Sequence, residues 1–227
     1  TNWQKKFIGG KAVAQNTHFS INGGSEQTSY RLGASQRKDG TVFPGDFGYK
    51  RNNFMLNLNH RSKDDKVEVN VNLQQSSQKN NLMATDFTNY LYLAPNAPEL
   101  YDENGNLNWE NNTFENPLSK LNAVYKSTTD DFTASATLKY KLYKSVEMHV
   151  STGMNNSIVK ELNTLPSTIY NPAYGLDSSY SSLNSSTFTR KSWIVEPKLV
   201  WEKTLGSGVL NVLFGSTFEE RTQQLMS

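Results

Sequence analysis

The chain has no cysteine among its 227 residues. That excludes a disulfide frame and a thiolate metal site. It also lacks any apolar run near the roughly 18 residues that a membrane-crossing helix requires. The opening "TNWQKKFIGG" has no initiator Met and no signal-peptide apolar core, so a mature piece or an excised segment is expected. Apolar residues make up only 36%, and mean hydropathy is -0.65. Both are low for a globular chain of this length. Net charge is +2, which supplies neither a basic field for nucleic acid nor an acidic tail. There is no HExxH, no GxSxG elbow and no phosphate-cradling glycine loop. His18, His60 and His149 stand far apart, and all three are expected on polar strand faces rather than around a metal. No cofactor, metal or catalytic residue is expected, and the chain does not read as an enzyme.

What the sequence does contain is alternation. In "FTASATLKYKLYKSVEMHV", Phe132, Ala134, Ala136, Leu138, Tyr140 and Leu142 interleave with Thr133, Ser135, Thr137, Lys139 and Lys141. Val146, Met148 and Val150 then alternate with Glu147, His149 and Ser151. Side chains on a strand point to opposite faces in turn, so this is a hairpin with one greasy face and one wet face. Six more segments behave likewise, near 15–23, 28–37, 49–60, 66–75, 188–202 and 208–219, giving about eight strands.

The connections alternate in length. Short turns fall at "GGSEQ", "RSKDD", "YKS" and "KTLGSG". Between them lie "KDGTVFPGDFG" and long loops near 76–131 and 155–187. A β-sandwich has no reason to keep that parity. An up-and-down outer-membrane barrel does, because its short turns share one side of the bilayer and its long loops the other. Tyr30, Phe54, Phe132, Tyr140, Trp193 and Trp201 sit toward strand ends, as an interfacial girdle requires. The fold class is therefore all-β: an antiparallel up-and-down meander of about eight strands, part of a larger outer-membrane β-barrel. The greasy face is then the lipid face. The rival reading is a soluble β-sandwich carbohydrate-binding module.

Within the longest loop, "TDFTNYLYLAPNAP" predicts one short helix, capped by Thr85 and stopped at Pro95. Asp102, Asn104 and Asn106 resemble the start of a calcium loop, but Leu107 and Thr113 occupy the positions that need Gly and Glu, so a plain turn is expected. Glu68, Glu147 and Glu196 fall on polar strand faces. Tyr90, Tyr92, Tyr101 and Trp109 are the candidate ligand-binding residues, since exposed aromatics stack on sugar rings. Packing of the loop on itself is the competing use of the same four side chains.

Several stretches together resemble one family. "TNWQ", then "SINGGSEQTSYRLGASQRKDGTVFPGDFGYKRNNFMLNLNH", then "APNAPELYDENGN", "NPLSKL" and "WIVEPKLVWEK" are similar to stations of SusC/RagA TonB-dependent outer-membrane transporters, in that family's order. Asn2 stands where the family usually has Asp. The resemblance implies a barrel of about 22 strands around a plug. It also implies a SusD-like surface lipoprotein as lid, energy from the TonB complex, and import of a glycan or oligosaccharide, or of a peptide. It carries over no catalytic residue. Residues 1–227 resemble a single internal barrel segment, without plug or TonB box. Such a slice in isolation is expected to close on itself, to turn its greasy face inward, to associate or to need detergent, rather than to persist as an open monomeric sheet.

Overall fold

The computed structural model describes all 227 residues. One antiparallel sheet contains every strand: β1 (Ala14–Gly24), β2 (Thr28–Gly40), β3 (Gly48–Arg61), β4 (Val67–Asn81), β5 (Val124–Tyr143), β6 (Val146–Leu165), β7 (Ser182–Leu205), β8 (Gly208–Gly215) and β9 (Phe218–Met226). Each strand from β1 to β8 pairs with its sequence neighbour, and β9 also pairs with β7. A single sheet rules out the two packed sheets of the sandwich reading.

The ninth strand has a local cause. β8 and β9 lie along the same edge of β7 in one unbroken register, with Lys198 opposite Gly215 and Val195 opposite Phe218. Between them stands Pro197. Its carbonyl accepts from the Ser216 N–H at 3.1 Å, but it has no N–H to return. The ladder lapses for two residues, and the expected eighth strand becomes two that run on to Met226.

The register sorts the side chains as alternation predicts. Ile21, Leu32, Leu56, Leu73, Ala134, Met154 and Trp193 form one cross-strand row. Val67, Val69, Val71, Leu138, Val146, Met148 and Val150 share that face, while Asn70, Asn72, Lys139, Glu147 and Glu196 share the other. One histidine departs from expectation. His60 pairs with Val69 and so lies on the apolar face. It sits beside the β3–β4 turn, where its Nδ1 shares a hydrogen bond with Thr28 Oγ1 at 2.8 Å. A rim position satisfies a polar ring that the middle of the band would not.

Strands and loops have different bounds from those expected. β4, β5, β6 and β7 run past the apolar band, so the long loops shrink to 82–123 and 166–181. The extensions carry polar residues on both faces and are held by the backbone ladder. All short turns lie at one end of the sheet and the long loops at the other.

The sheet itself has no core. Eight apolar residues are buried, and none of them lies on a strand. Phe19, Phe54, Phe214 and Phe218 are all more than half exposed. Neither expected intramolecular escape occurs: β1 does not pair with β8 or β9, and the greasy face is not turned inward. What remains is an open wall with two free edges and one bare apolar face.

Candidate functional site

The buried apolar residues lie among the loops. A six-residue helix, α1 (Trp3–Ile8), is capped by Asn2, whose side chain accepts from the Lys5 N–H. Asn caps a helix as well as Asp does, so the departure from the family motif costs the helix little. The sequence reading missed α1, although Asn2, the i,i+4 pair Trp3 and Phe7, and Gly9 mark its start, buried face and end. Trp3 and Phe7 pack with Phe87, Leu100, Phe114 and Leu118. The Phe7 and Phe87 rings stack 5.5 Å apart at 3°.

The predicted loop helix is a 3-10 segment, Phe87–Tyr92. Its cap is Asp86, not Thr85, because the Asp86 carboxylate accepts from the Thr88 N–H at 2.9 Å. That bond holds the Asp86 carboxyl below the usual carboxylate range. Asp102 accepts from the backbone N–H groups of Asn104 and Asn106, forming the plain turn expected there. The same bonds, Asn106 foremost, lower its pKa.

Buried Asn116 ties the cap together. Its amide donates to the carbonyls of Leu100 and Asn108, and its oxygen accepts from the Leu118 N–H. The second loop is stitched on by Ser119 Oγ, which donates to the Ile169 carbonyl, and by Tyr174, which donates to Glu115 at 2.6 Å. That carboxylate pushes the Tyr174 phenol up. The long loops thus form one packed cap.

The four loop aromatics separate. Tyr90 is half-buried, its ring 5.7 Å from Phe87 and 6.2 Å from Phe7, so it packs the cap. Tyr92 is 92% exposed and Tyr101 is 55% exposed, while Trp109 is half-buried. Directly after Trp109, Glu110, Asn111 and Asn112 all have positive φ. Three successive left-handed non-glycine residues are rare and turn the chain sharply at that point.

Below the cap lies the polar sheet face. Arg51 Nε donates to Asn53 Oδ1 at 2.9 Å, and Asn53 in turn donates to Ser35. Farther along, Asn155 donates to Thr133 and Ser157 to Asp131. Glu68 lies 3.9 Å from Lys139 and Glu147 lies 3.0 Å from His149. The three glutamates do not gather: Glu196, on β7, accepts from Thr217 in the break between β8 and β9. This face offers closely spaced donors and acceptors of both charge signs, chemistry that suits water and polar solutes.

No protein-family model matches the chain, and no curated protein matches it in sequence. Solved structures do match in fold. The RagAB peptide importer in its "open-open" state aligns with TM-score 0.74 at 16% identity, over 99% of this chain and 26% of that one. Its "closed-closed" state aligns with TM-score 0.68 at 13% identity, over 98% and 26%. The ferric-catecholate import receptor Fiu from E. coli K12 aligns with TM-score 0.53 at 14% identity, over 92% and 32%. The chain spans between a quarter and a third of the length of these proteins. The resemblance to SusC/RagA transporters read in the sequence therefore extends to the fold, over nearly the whole chain.

Proposed function

We propose that this chain is part of the wall and outer loops of a TonB-dependent importer in the bacterial outer membrane. One observation carries the reading. The register gathers the apolar strand residues into a bare band on one face and the polar residues on the other. In water that band has nothing to cover it. In a bilayer lipid covers it, further strands pair with the edges of β1 and β8–β9, and the polar face lines an aqueous lumen. The wall does no chemistry; it confines a path.

The packed cap then faces outward, where a SusD-like lipoprotein closes over the barrel and cargo first meets the transporter. Cargo is a nutrient, a glycan or oligosaccharide. The peptide reading gains from the RagAB importer, whose described cargo is peptide. Of the loop aromatics, Tyr92 and Tyr101 offer open ring faces, and Trp109 is presented by the left-handed turn that follows it. Tyr90 serves the cap core. TonB supplies the energy through parts of the parent protein outside this stretch.

The test uses single cysteines in the full-length protein on intact cells, with any cysteines native to its other parts removed. A cysteine at Asn104 reacts with a membrane-impermeant maleimide from outside. One at Asp64, in a short turn, reacts only after the outer membrane is opened. Equal labelling of both on intact cells overturns the reading.

A further inference from the structure

We propose that the outward face carries, just above the apolar band, a lysine row that binds phosphorylated lipid headgroups in the leaflet on the long-loop side. The inference rests on the membrane reading above. Lys38 pairs with Lys50, Lys50 with Lys79, Lys79 with Thr128, and Thr128 with Lys160. These five positions form one continuous cross-strand row from β2 to β6. All four lysines are exposed, and none forms an ion pair or a side-chain hydrogen bond.

Such a row is unfavourable by itself. Side chains directly opposite each other on neighbouring strands have Cβ atoms about 4.5–5.5 Å apart, and like charges there repel. Elsewhere the sheet relieves its cations: on the opposite face of the same strand, Arg37 is paired with Asp39. The lysine row has no such relief. Lys126 lies on the same face of β5, two residues beyond Thr128, and adds to the charge. Asp130 is the acid on this face closest to the row. It lies two residues along β5 from Thr128 and pairs with Ser77 and Ile158, not with a lysine. Anions from outside the chain are what a row of this geometry lacks.

Depth identifies their source. Lys38 lies four residues beyond Ala34, Lys50 four beyond Phe54, Lys79 six beyond Leu73 and Lys160 two beyond Ile158, the outermost apolar position before each lysine on this face of its strand, a mean offset of four. Four residues rise about 13 Å along a strand, or about 10 Å along the membrane normal at barrel tilt. The headgroup layer extends about 5–8 Å beyond the hydrocarbon. Lysine stems reach back toward that layer and leave the ammonium groups within it. A phosphomonoester there meets two or three lysines at once, which a single carboxylate on this face does not offer.

The experiment uses the full-length protein in phosphatidylcholine nanodiscs with and without phosphatidic acid, reading retained phosphatidic acid by native mass spectrometry. The wild type retains it. The combined variant Lys38→Gln, Lys50→Gln, Lys79→Gln, Lys160→Gln loses at least tenfold in retention. Lys139→Gln with Lys198→Gln, on the polar face, changes nothing. Thr128→Lys fills the gap in the row and raises retention, which keeps the test decisive if the combined variant does not fold. Inserted protein without preference for phosphatidic acid, or a T128K variant that retains no more than wild type, overturns the proposal. Displacement of the lipid by millimolar inorganic phosphate overturns the lipid source and leaves a free-phosphate site. Failure of the wild type to insert at all counts against the membrane reading instead.

Discussion

Two adjacent glycines show how differently neighbouring positions are constrained. A Cβ on Gly23 would meet Tyr30 Oη at 2.7 Å, the free end of a side chain that can swing aside. A Cβ on Gly24 would meet the backbone carbonyl of Thr28, which cannot move without opening the hairpin. Gly23→Ala is therefore expected to cost about 1 kcal/mol, the scale of an off-rotamer aromatic. Gly24→Ala is expected to cost about 1–3 kcal/mol, the scale of overpacking. Refolding yield of the two variants in detergent micelles orders them, and equal yields would refute the distinction. A second residue-level expectation concerns pH. Asp102 has a lowered pKa because the Asn106 and Asn104 N–H groups bond its charged form. Its contribution to the turn is thus fully present above its ordinary value of about 3.9 and is lost as pH falls through the lower folded value. Proteolysis of the cap near residues 102–106 should be unchanged from pH 7 to 5 and accelerate only below about pH 4. Asp102→Asn, which keeps the acceptor and removes the charge, should abolish that acceleration. The sequence pattern identifies this turn from the missing Gly and Glu, yet it offers ring stacking on a ligand and packing of the loop on itself for all four aromatics alike and does not single out Tyr90 for the cap. Tyr90 differs from Tyr92 only in which side of a 3-10 turn faces Phe87, and that depends on α1 arriving from the other end of the chain.

At the level of strands, what could be read in advance was whatever alternated. The apolar halves of β4–β7 were found because one face is greasy. Their distal halves, 76–81, 124–131, 155–165 and 182–187, read as loop because polar residues occupy both faces and the apolar residues that remain, such as Ile158 and Val159, follow no period of two. Pairing there is a property of the neighbouring strand, not of the segment. Faces make a direct prediction in a bilayer. Val69→Arg should cost about 2–4 kcal/mol, the value for a cation at mid-membrane on a lipid face. Asn70→Arg, one residue on and turned to the lumen, should fold normally. Equal folding yields of the two in vesicles would contradict the register of β4. The split edge strand makes another. Pro197→Ala supplies the missing donor opposite Ser216, so β8 and β9 should fuse. One restored hydrogen bond is worth about 0.5–1.5 kcal/mol. Hydrogen exchange at residues 215–218 should slow, and no change there would show that something other than the proline breaks the strand.

For the whole molecule, the turns carry information beyond their parity. Ile21 lies three residues before the end of β1, whereas Trp193, on the same row, lies twelve before the end of β7. The short-turn end thus moves nine positions along the register across six strand steps. A sheet whose ends slide steadily against its register has tilted strands, the geometry a barrel wall requires. The lower edge of the apolar band slides with the turns, from Ile21 on β1 to Leu210 on β8, while its upper edge stays near one row, through Phe19, Ala34, Phe54 and Phe132. Loop parity predicted the single meander, but neither this slide nor the open edges, which arise only once all registers are fixed together. In the proposed arrangement the band meets lipid and the opposite face meets water. Spin labels placed singly at residues 67 to 74 of the full-length protein in liposomes test it most directly, by relaxation with lipid-soluble oxygen and with a water-soluble nickel chelate. Strict alternation is expected, with oxygen contact at 67, 69, 71 and 73 and nickel contact at 68, 70, 72 and 74. Alternation of the opposite phase, or nickel access at all eight positions, would contradict it.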